Sequence, residues 1–238
     1  MNIQGKTVLI TGANRGIGAA LVRAFLKHGI GKVYAAARNP SSLPDFKDAR
    51  VVPVQLDITK ASEVTAAAQK IGAVDILVNN AGIMTFSGVL TASSADLAAD
   101  MEVNYFGTIR IIQAFAPLIE KQGGGVIANI SSIVGLAPLP VIAGYSASKA
   151  ALFSATQAAR IALKPKKIEV IGIFPGPIDT DLAKNLPIDK ASPVDAAEEM
   201  VRGIIAGQED IYPDPTSKHL STLWSSNPKG LEQFFAKM

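Results

Sequence analysis

Short runs of β-branched and other apolar residues alternate along the chain with longer, alanine-rich segments whose apolar positions recur at helical spacing. Such alternation is typical of repeated βα units, which build a parallel sheet with helices on both faces. The pattern therefore predicts an α/β fold with a doubly wound parallel sheet of about seven strands. The segments that match the strand pattern are Lys6–Thr11, Lys32–Ala37, Val51–Gln55, Val74–Asn79, Gly125–Ile130, Ile168–Phe174 and Asp210–Tyr212.

The helices predicted between these strands are roughly 10–20 residues long, apart from a longer third one. They lie near Ile17–Lys27, Ala61–Ile71, Ala95–Lys121, Tyr145–Leu163 and Pro193–Ala206. Because proline has no amide hydrogen to donate, we expect a kink or a restart of the third helix around Phe115–Pro117. Beyond Tyr212 the sequence predicts a turn and short helices, with Trp224, Phe234 and Phe235 in the core or at a subunit contact.

Composition narrows the class of protein further. Of the 238 residues, 48% are hydrophobic and 18% are charged, which favours one globular domain. The net charge is +3, and the Lys and Arg residues are scattered, so nucleic acid is not an expected partner. The chain has no cysteine and two histidines, which argues against thiolate chemistry and a metal site. No segment approaches the roughly 18 apolar residues of a membrane span, so we expect a cytoplasmic protein.

A glycine-rich string, Thr11–Gly18, follows the first predicted strand and opens the first predicted helix. At such a turn Gly12 permits the reversal, Gly16 lets the backbone approach a pyrophosphate, and Gly18 allows close packing of helix on strand. The free amides of the helix N-terminus favour an anion there. The spacing is G-x-x-x-G-x-G rather than G-x-G-x-x-G, and the alternative is that these glycines only shape a turn. Together with the strand pattern, the string predicts a Rossmann-type dinucleotide fold.

The end of the second predicted strand favours NADP(H) over NAD(H). A carboxylate at this position would bind the adenosine ribose of NAD, but here Ala37 is followed by Arg38. Arg38 and Arg15 together are suited to hold the 2′-phosphate of NADP. The alternative is that both arginines are ordinary surface residues. Asp57 is a candidate for contact with the adenine edge, and a turn or a helix cap is an equally economical role for it.

Catalytic chemistry is suggested by Tyr145 and Lys149, which lie four residues apart on one face of a predicted helix. A tyrosine acts as a base only where nearby positive charge lowers its pKa, and Lys149 supplies such a charge. Ser132 follows the strand Gly125–Ile130 and therefore lies at the carboxyl edge of the sheet, where open α/β sheets bind ligands. Ser131 competes with Ser132 for the role of the hydroxyl that faces a ligand. In the alternative reading, the Ser131 side chain satisfies backbone groups at the strand end.

From Lys6 to about Tyr212 the chain resembles the short-chain dehydrogenase/reductase family. The matching pieces, in the family's order, are Thr11–Gly18, Asp57, Asn79–Gly82, Asn104, Ser132, Tyr145 with Lys149, and Pro175–Thr180. The resemblance implies a single-domain enzyme in which residues 1–130 mainly bind the cofactor and residues 131–238 carry the catalytic helix, the substrate loops and the C-terminal tail.

The resemblance also implies roles for the catalytic residues. Ser132 would hold the substrate oxygen and Tyr145 would exchange the proton. Lys149 would bind the nicotinamide ribose and lower the pKa of Tyr145, while Asn104 would hold a water in the proton relay. Thr180 would touch the nicotinamide carboxamide. One of the pair Asn79 and Asn80 would support the sheet and the cofactor. The remaining cofactor contacts that the motifs imply are Asn14, Ile17, Ile58, Asn80, Ala81, Gly82, Pro175, Gly176 and Ile178.

Substrate specificity is expected from the loops 83–91, 133–144 and 181–192, the last of which is a candidate lid. Their apolar residues, among them Phe86, predict a pocket for hydrophobic ketones, aldehydes or secondary alcohols. The candidates for substrate contact, besides Ser132 and Tyr145, are Met84, Leu136, Leu182 and Leu186. The resemblance further implies a homo-oligomer, a dimer or a tetramer, formed through the helices Ala95–Lys121 and Tyr145–Leu163.

These observations lead to one hypothesis and two alternatives. The hypothesis is an NADP(H)-dependent oxidoreductase that interconverts a small-molecule carbonyl and an alcohol, with NADPH as hydride donor and Tyr145 as proton donor in reduction. One alternative is a sensor or scaffold that binds NADP without turnover, although Tyr145 and Lys149 are both present. The other is a dehydratase or an epimerase, whose usual additional substrate domain has little room in the residues after Tyr212.

Overall fold

The computed structural model describes residues 1–237 and has one sheet of seven strands. The strands are β1 (Thr7–Thr11), β2 (Lys32–Ala37), β3 (Val51–Gln55), β4 (Ile76–Asn79), β5 (Gly125–Ile130), β6 (Ile168–Ile173) and β7 (Asp210–Ile211). They are ordered β3-β2-β1-β4-β5-β6-β7, and every neighbouring pair is parallel. The strand order reverses between β1 and β4, which is the position at which doubly wound sheets open a ligand crevice. The predicted fold is confirmed.

Helices cover both faces because the side chains of each strand alternate between them. The helices are α1 (Gly16–Lys27), α2 (Ala61–Ile71), α3 (Ser94–Met101), α4 (Thr108–Lys121), α5 (Ala143–Leu163), α6 (Pro193–Ala206), α7 (Pro215–Ser226) and α8 (Pro228–Phe235). In β1, Val8 and Ile10 face one core, which α1 and α6 complete. Leu9 faces the other core, which includes residues of α2, α4 and α5.

The predicted long helix Ala95–Lys121 is interrupted, but at a different place from the one expected. The expectation of a helix restart around Phe115–Pro117 was wrong, because Pro117 lies inside an unbroken α4, while the expected kink stays a prediction. The interruption is a π-helical turn, Glu102–Gly107, between α3 and α4. Such turns hold one extra residue and are frequent at functional sites. Here the turn contains Asn104, whose side chain is hydrogen-bonded to the backbone of a neighbouring loop.

The C-terminal tail folds back over the carboxyl edge of the sheet. Asp214 caps α7 by accepting from the Ser217 amide at 2.9 Å, and its second oxygen accepts from the Gly176 amide at 2.8 Å. This carboxylate therefore joins the tail to the segment that follows β6. A third apolar cluster, to which Phe174, Leu220 and Phe235 belong, fills the space between the tail and the sheet. In residues 1–237 no helix has both the length and the apolar character needed to cross a membrane.

Candidate active site at the carboxyl edge of the sheet

A cavity of about 830 Å³ lies at the carboxyl ends of the strands, beside the point where the strand order reverses. Its wall includes residues of the glycine string, the end of β2, the segments after β3, β4, β5 and β6, and α8. All of the predicted cofactor contacts line this cavity: Gly12, Asn14, Arg15, Gly16, Ile17, Gly18, Arg38, Asp57, Ile58, Asn80, Ala81, Gly82, Tyr145, Lys149, Pro175, Gly176, Ile178 and Thr180.

The glycine string forms a tight cradle that no side chain fills. Gly12 and Gly16 have φ values of +65° and +52°, in the left-handed region that favours glycine. A Cβ on Gly18 would lie 2.1 Å from the Gly12 carbonyl oxygen, so α1 can approach β1 this closely only with glycine there. No side chain caps the first turn of α1. An uncapped helix N-terminus above a glycine turn fits a pyrophosphate.

Asn79 and Asn80 support this cradle in different ways. The Asn80 amide donates to the carbonyl oxygens of Thr11 at 2.9 Å and Gly12 at 3.0 Å, which holds the glycine turn against the end of β4. The Asn79 amide donates to Asn129 on the neighbouring strand at 2.8 Å. Asn80 therefore supports the glycine turn, while Asn79 supports the sheet.

Arg15 and Arg38 both line the cavity, and no carboxylate stands at the end of β2. Asn39 and Ser42, two residues that sequence reasoning did not single out, line it as well. Arg15 also forms an ion pair with Asp181, with 2.9 Å between Nη1 and Oδ2. The polar residues beside Arg38 were missed because Asn39 and Ser42 belong to a short 3₁₀ turn and its cap, which have no periodic pattern.

Asp57 stabilises a turn, which was the alternative to contact with the adenine edge in the sequence analysis. Its Oδ1 accepts from the Thr59 amide at 3.0 Å and from the Thr59 hydroxyl at 2.7 Å. Burial acts to raise the pKa of Asp57, but these bonds and the charges of Lys60 and Arg38 lower it overall. The carboxylate therefore remains anionic at neutral pH, and it also lines the cavity, so the turn role and contact with a ligand are compatible.

Ser132, Tyr145 and Lys149 line the same cavity and are all buried. The Ser132 hydroxyl donates to the Pro175 carbonyl at 3.3 Å, a long bond that a ligand oxygen is able to replace. The Ser131 hydroxyl donates to the Lys149 carbonyl at 3.0 Å and so ties β5 to α5. The Lys149 carbonyl lies on α5 and not at the strand end, so this bond differs from the structural alternative given for Ser131. Ser131 also lines the cavity, but of the two serines it is Ser132 whose hydroxyl contacts the Tyr145 phenol.

The electrostatics of Tyr145 differ from the expectation. Burial raises the pKa of the Tyr145 phenol, a contact with the Ser132 hydroxyl lowers it in part, and the charge of Asp100 raises it. The expected lowering by Lys149 is absent from this state, in which the ammonium lies 5.6 Å from the centre of the tyrosine ring. Burial also lowers the pKa of Lys149 to about 8, while Asp100 acts in the opposite direction. Lys149 donates to the Ile130 carbonyl at 2.7 Å.

Asn104 lies behind the cavity wall rather than in it. Its amide nitrogen donates to the Ile83 carbonyl at 2.9 Å and to the Ser148 hydroxyl at 2.9 Å, and its oxygen accepts from the Ile83 amide at 2.9 Å. The Ser148 hydroxyl in turn donates to the Tyr145 carbonyl at 2.7 Å. Asn104 thus links the loop after β4 to the helix that carries Tyr145.

Of the predicted substrate contacts, Met84, Leu182 and Leu186 line the cavity, but Leu136 does not. Leu136 is buried in the third apolar cluster, so its role is packing. Phe86 is 47% exposed and lies outside the cavity wall. Sequence reasoning missed the contribution of the tail, from which Phe234 and Phe235 reach the cavity. Their aromatic character was noticed, but it gave no indication of which surface they cover.

Comparison with known proteins agrees with this arrangement. The seven-stranded sheet with a glycine turn at its switch point defines a dinucleotide-binding α/β protein, and the short chain dehydrogenase family model matches residues 6–191. An uncharacterized oxidoreductase from Staphylococcus saprophyticus is 34% identical over 215 residues, which are 84% of this chain and 92% of that protein. The chain belongs to the short-chain dehydrogenase/reductase family.

Solved structures resemble the chain over nearly its whole length. A short chain dehydrogenase from Burkholderia cenocepacia in complex with NADP is 37% identical, with a TM-score of 0.93 and 99% of each chain covered. A 3-ketoacyl-(acyl-carrier-protein) reductase from Brucella melitensis complexed with NADH is 28% identical, with a TM-score of 0.79, covering 89% of this chain and 98% of the other. The family is thus one of nicotinamide-dependent oxidoreductases whose members differ in cofactor.

Proposed function

We propose that the protein is an NADP(H)-dependent oxidoreductase that reduces apolar ketones or aldehydes, or oxidises the corresponding alcohols. The observation that carries the proposal is that one cavity is lined by Ser132, Tyr145 and Lys149 and also by the glycine cradle with Arg38. The first three residues are suited to proton transfer at a carbonyl, and the others to a phosphorylated dinucleotide.

NADP(H) is favoured over NAD(H) by the residues around the end of β2. Ala37 is buried and offers no carboxylate for a ribose diol, while Arg15 and Arg38 supply two cations. Arginine binds phosphate through several hydrogen bonds at once, and this contribution is lost when the 2′-phosphate is absent. The complex of the Burkholderia cenocepacia relative with NADP supports this preference.

In reduction, a carbonyl oxygen would accept hydrogen bonds from Ser132 and Tyr145. Because burial raises the pKa of Tyr145, the phenol is protonated at neutral pH and ready to give its proton to the forming alkoxide. A bound nicotinamide supplies the hydride in this direction and accepts it in the other. Oxidation needs the phenolate, so it requires more positive charge beside the ring than Lys149 alone supplies.

The apolar character of the substrate is supported by the apolar residues of the cavity wall. Met84, Leu139, Ile142 and Leu186 line the cavity, and Phe234 and Phe235 add two aromatic rings. The ring centroids of these two phenylalanines are 5.7 Å apart in an edge-to-face arrangement. Apolar walls with a few convergent polar groups are typical of sites for small apolar ligands.

We also propose that the protein forms a homo-oligomer through the surface of α3, the π-helical turn and α5. Leu97, Phe106 and Ile161 on these elements are 39%, 46% and 78% exposed. A second copy of the chain would cover them. Light scattering on wild type and on Ile161→Glu tests the proposal, with a smaller particle expected for the variant. A monomeric wild type would refute it.

The function is tested by measuring NADPH consumption with aliphatic, aromatic and polycyclic carbonyl compounds. Turnover of apolar compounds is expected, and it should fall by about 10²-fold or more in Tyr145→Phe while cofactor binding persists. Exclusive use of small charged substrates would contradict the apolar pocket. NADPH binding without turnover of any compound would favour the sensor or scaffold.

A further inference from the structure

Asp100, in the last turn of α3, is a fully buried carboxylate outside the set of residues assigned above to cofactor or substrate. Its Oδ1 accepts from the Thr85 amide at 3.1 Å, and its Oδ2 accepts from the Thr85 hydroxyl at 2.5 Å. The Thr85 hydroxyl is also 3.0 Å from the Ser87 hydroxyl. Buried ionised groups are costly unless they are paired or hydrogen-bonded, so a carboxylate at this position needs an explanation.

Asp100 and Asn104 hold the loop after β4 at two neighbouring points. Asn104 binds both backbone groups of Ile83, and Asp100 binds the amide and the hydroxyl of Thr85. The residue between these two points is Met84, which lines the cavity. The two side chains, four residues apart in sequence, therefore fix the stretch of loop that forms part of the substrate wall.

On its other side, the Asp100 carboxylate packs against the start of α5. A Cβ added to Gly144 would lie 3.0 Å from Asp100 Oδ2 and 2.9 Å from Leu97 Cδ2, so glycine is needed for this approach. Gly144 directly precedes Tyr145, and Lys149 follows one turn later. Negative charge is stabilised near a helix N-terminus, and that contribution offsets part of the cost of burying Asp100.

The charged and titratable groups that act on Asp100 come from its own helix and from α5. Burial raises the pKa of Asp100 and the bonds from Thr85 lower it, while Asp96 on α3 raises it and Lys149 on α5 lowers it, so that the pKa is raised overall. The Lys149 ammonium lies beside the loop that Asp100 holds, since a Cβ on Gly82 would lie 3.7 Å from Lys149 Nζ and 3.0 Å from Asn104 Oδ1. The effect is mutual, because burial lowers the pKa of Lys149 and Asp100 acts against that lowering. Asp100 also raises the pKa of Tyr145.

We propose that Asp100 is a positioning residue for the reaction: its carboxylate fixes the 83–87 loop against the start of α5 and is the buried counter-charge of Lys149. The inference rests on the proposed function for the roles of Tyr145 and Lys149. A merely structural role would require the hydrogen bonds of Asp100 but not its charge. Asparagine in its place retains an acceptor for Thr85 and removes the charge.

The first test measures the protonation of Lys149 directly, without turnover. In protein labelled with ¹³C at lysine Cε, the Lys149 signal is assigned by its loss in Lys149→Met and followed by NMR as a function of pH. We expect the midpoint in Asp100→Asn to lie at least about half a pH unit below that of wild type. The matched control is Asp96→Asn, which removes a half-buried charge one turn earlier on the same helix and should shift the midpoint less than Asp100→Asn does. An unshifted midpoint in Asp100→Asn overturns the proposal.

The second test is the pH profile of carbonyl reduction. Loss of the counter-charge should lower the pH at which kcat/KM begins to fall on the alkaline side. Relative to wild type, the variant should therefore lose roughly threefold more rate at pH values above this fall than at pH values below it. An equal loss at every pH would mean that Asp100 is only structural. If Asp100→Asn does not fold, the smaller Asp100→Ser replaces it in both tests. If wild type shows no turnover, the proposed function fails, while the NMR midpoints still decide the role of Asp100.

Discussion

Arg15 and Asp181 form an ion pair across the opening of the cofactor cavity, with 2.9 Å between Arg15 Nη1 and Asp181 Oδ2. Arg15 belongs to the glycine string, and Asp181 directly follows the segment after β6 that lines the cavity. The side chains are 63% and 64% exposed, so the pair is screened by solvent and contributes little to stability. A bound phosphate would compete with Asp181 for the same guanidinium.

We therefore expect Asp181→Asn to strengthen the binding of NADPH, because Arg15 is then free for the 2′-phosphate. From the strength of exposed ion pairs, the Kd should fall by about two- to fivefold, with little change for NADH. Fluorescence titration of each cofactor measures both values. Asp179→Asn, two residues away and exposed, is the matched control. A weaker binding of NADPH in Asp181→Asn would show that Asp181 supports the cofactor instead of competing with it.

Arg38→Asp tests the cofactor preference itself. The change removes the cation beside Ala37 and introduces the carboxylate that is typical of NAD sites. NADPH binding should weaken by roughly 10- to 100-fold, since a charge-assisted bond is lost and a like charge is added. NADH binding should change little. The refuting outcome is an equal loss for both cofactors, which would mean that Arg38 does not contact the 2′-phosphate.

The strands and the glycine cradle could be predicted from sequence because their signals are local. A run such as Thr7–Thr11 followed directly by Gly12 indicates a strand and a turn without reference to the rest of the chain. The cavity also joins predicted residues far apart in sequence, such as Arg38 and Tyr145. Their meeting follows from the rule that the carboxyl ends of parallel strands share one edge of the sheet.

Other features depend on packing that the sequence does not encode locally. Pro117 indicated a break, yet α4 tolerates it, and the actual interruption at Glu102–Gly107 has no breaker residue before its last position. The apolar character of Leu136 fits a pocket wall and a core equally well, and in the structure Leu136 packs in the core. The direction of the Tyr145 pKa depends on the extent of burial, which raises the pKa by more than the contact with the Ser132 hydroxyl lowers it.

The aromatic end of the tail should influence which substrates are accepted. Phe234 is 41% exposed and lines the cavity, so Phe234→Ala removes part of the apolar wall without leaving a hole in the core. We expect KM for bulky aromatic carbonyls to rise by roughly three- to tenfold, in line with the loss of apolar contact area. Phe86→Ala, at a similarly exposed residue outside the cavity wall, should change KM little. Equal effects of both variants would remove Phe234 from the substrate wall.

Gly18→Ala tests the cradle. The added methyl group would lie 2.1 Å from the Gly12 carbonyl oxygen, which belongs to the turn, and 2.6 Å from the Asn80 amide nitrogen, which donates to that turn. Because backbone must move, we expect a loss of about 1–3 kcal/mol in the free energy of unfolding and a failure to bind either cofactor. Denaturant titration and cofactor titration measure the two effects. Wild-type cofactor binding in Gly18→Ala would contradict the assignment of this turn to the pyrophosphate.

The pH dependence of carbonyl reduction should reveal Lys149. Burial lowers the pKa of its ammonium to about 8, so the charge is present below that pH and is lost as the pH rises through it. The pKa of Tyr145 is raised, so deprotonation of the phenol occurs at higher pH than that of Lys149. Since kcat/KM reports the ionisation of the free enzyme, its alkaline limb in reduction should lie near pH 8.

Lys149→Arg distinguishes Lys149 from Tyr145 as the cause of the alkaline limb, because arginine remains charged throughout the pH range in which lysine titrates. Its residual activity is expected to be lower than that of wild type, since arginine does not reproduce the 2.7 Å bond from Lys149 to the Ile130 carbonyl. That residual activity should nevertheless have no alkaline limb near pH 8. Steady-state kinetics from about pH 6 to pH 10 compare the two proteins. A limb at the same pH in both would assign it to another group, and Lys149 would then not be the residue whose charge reduction requires.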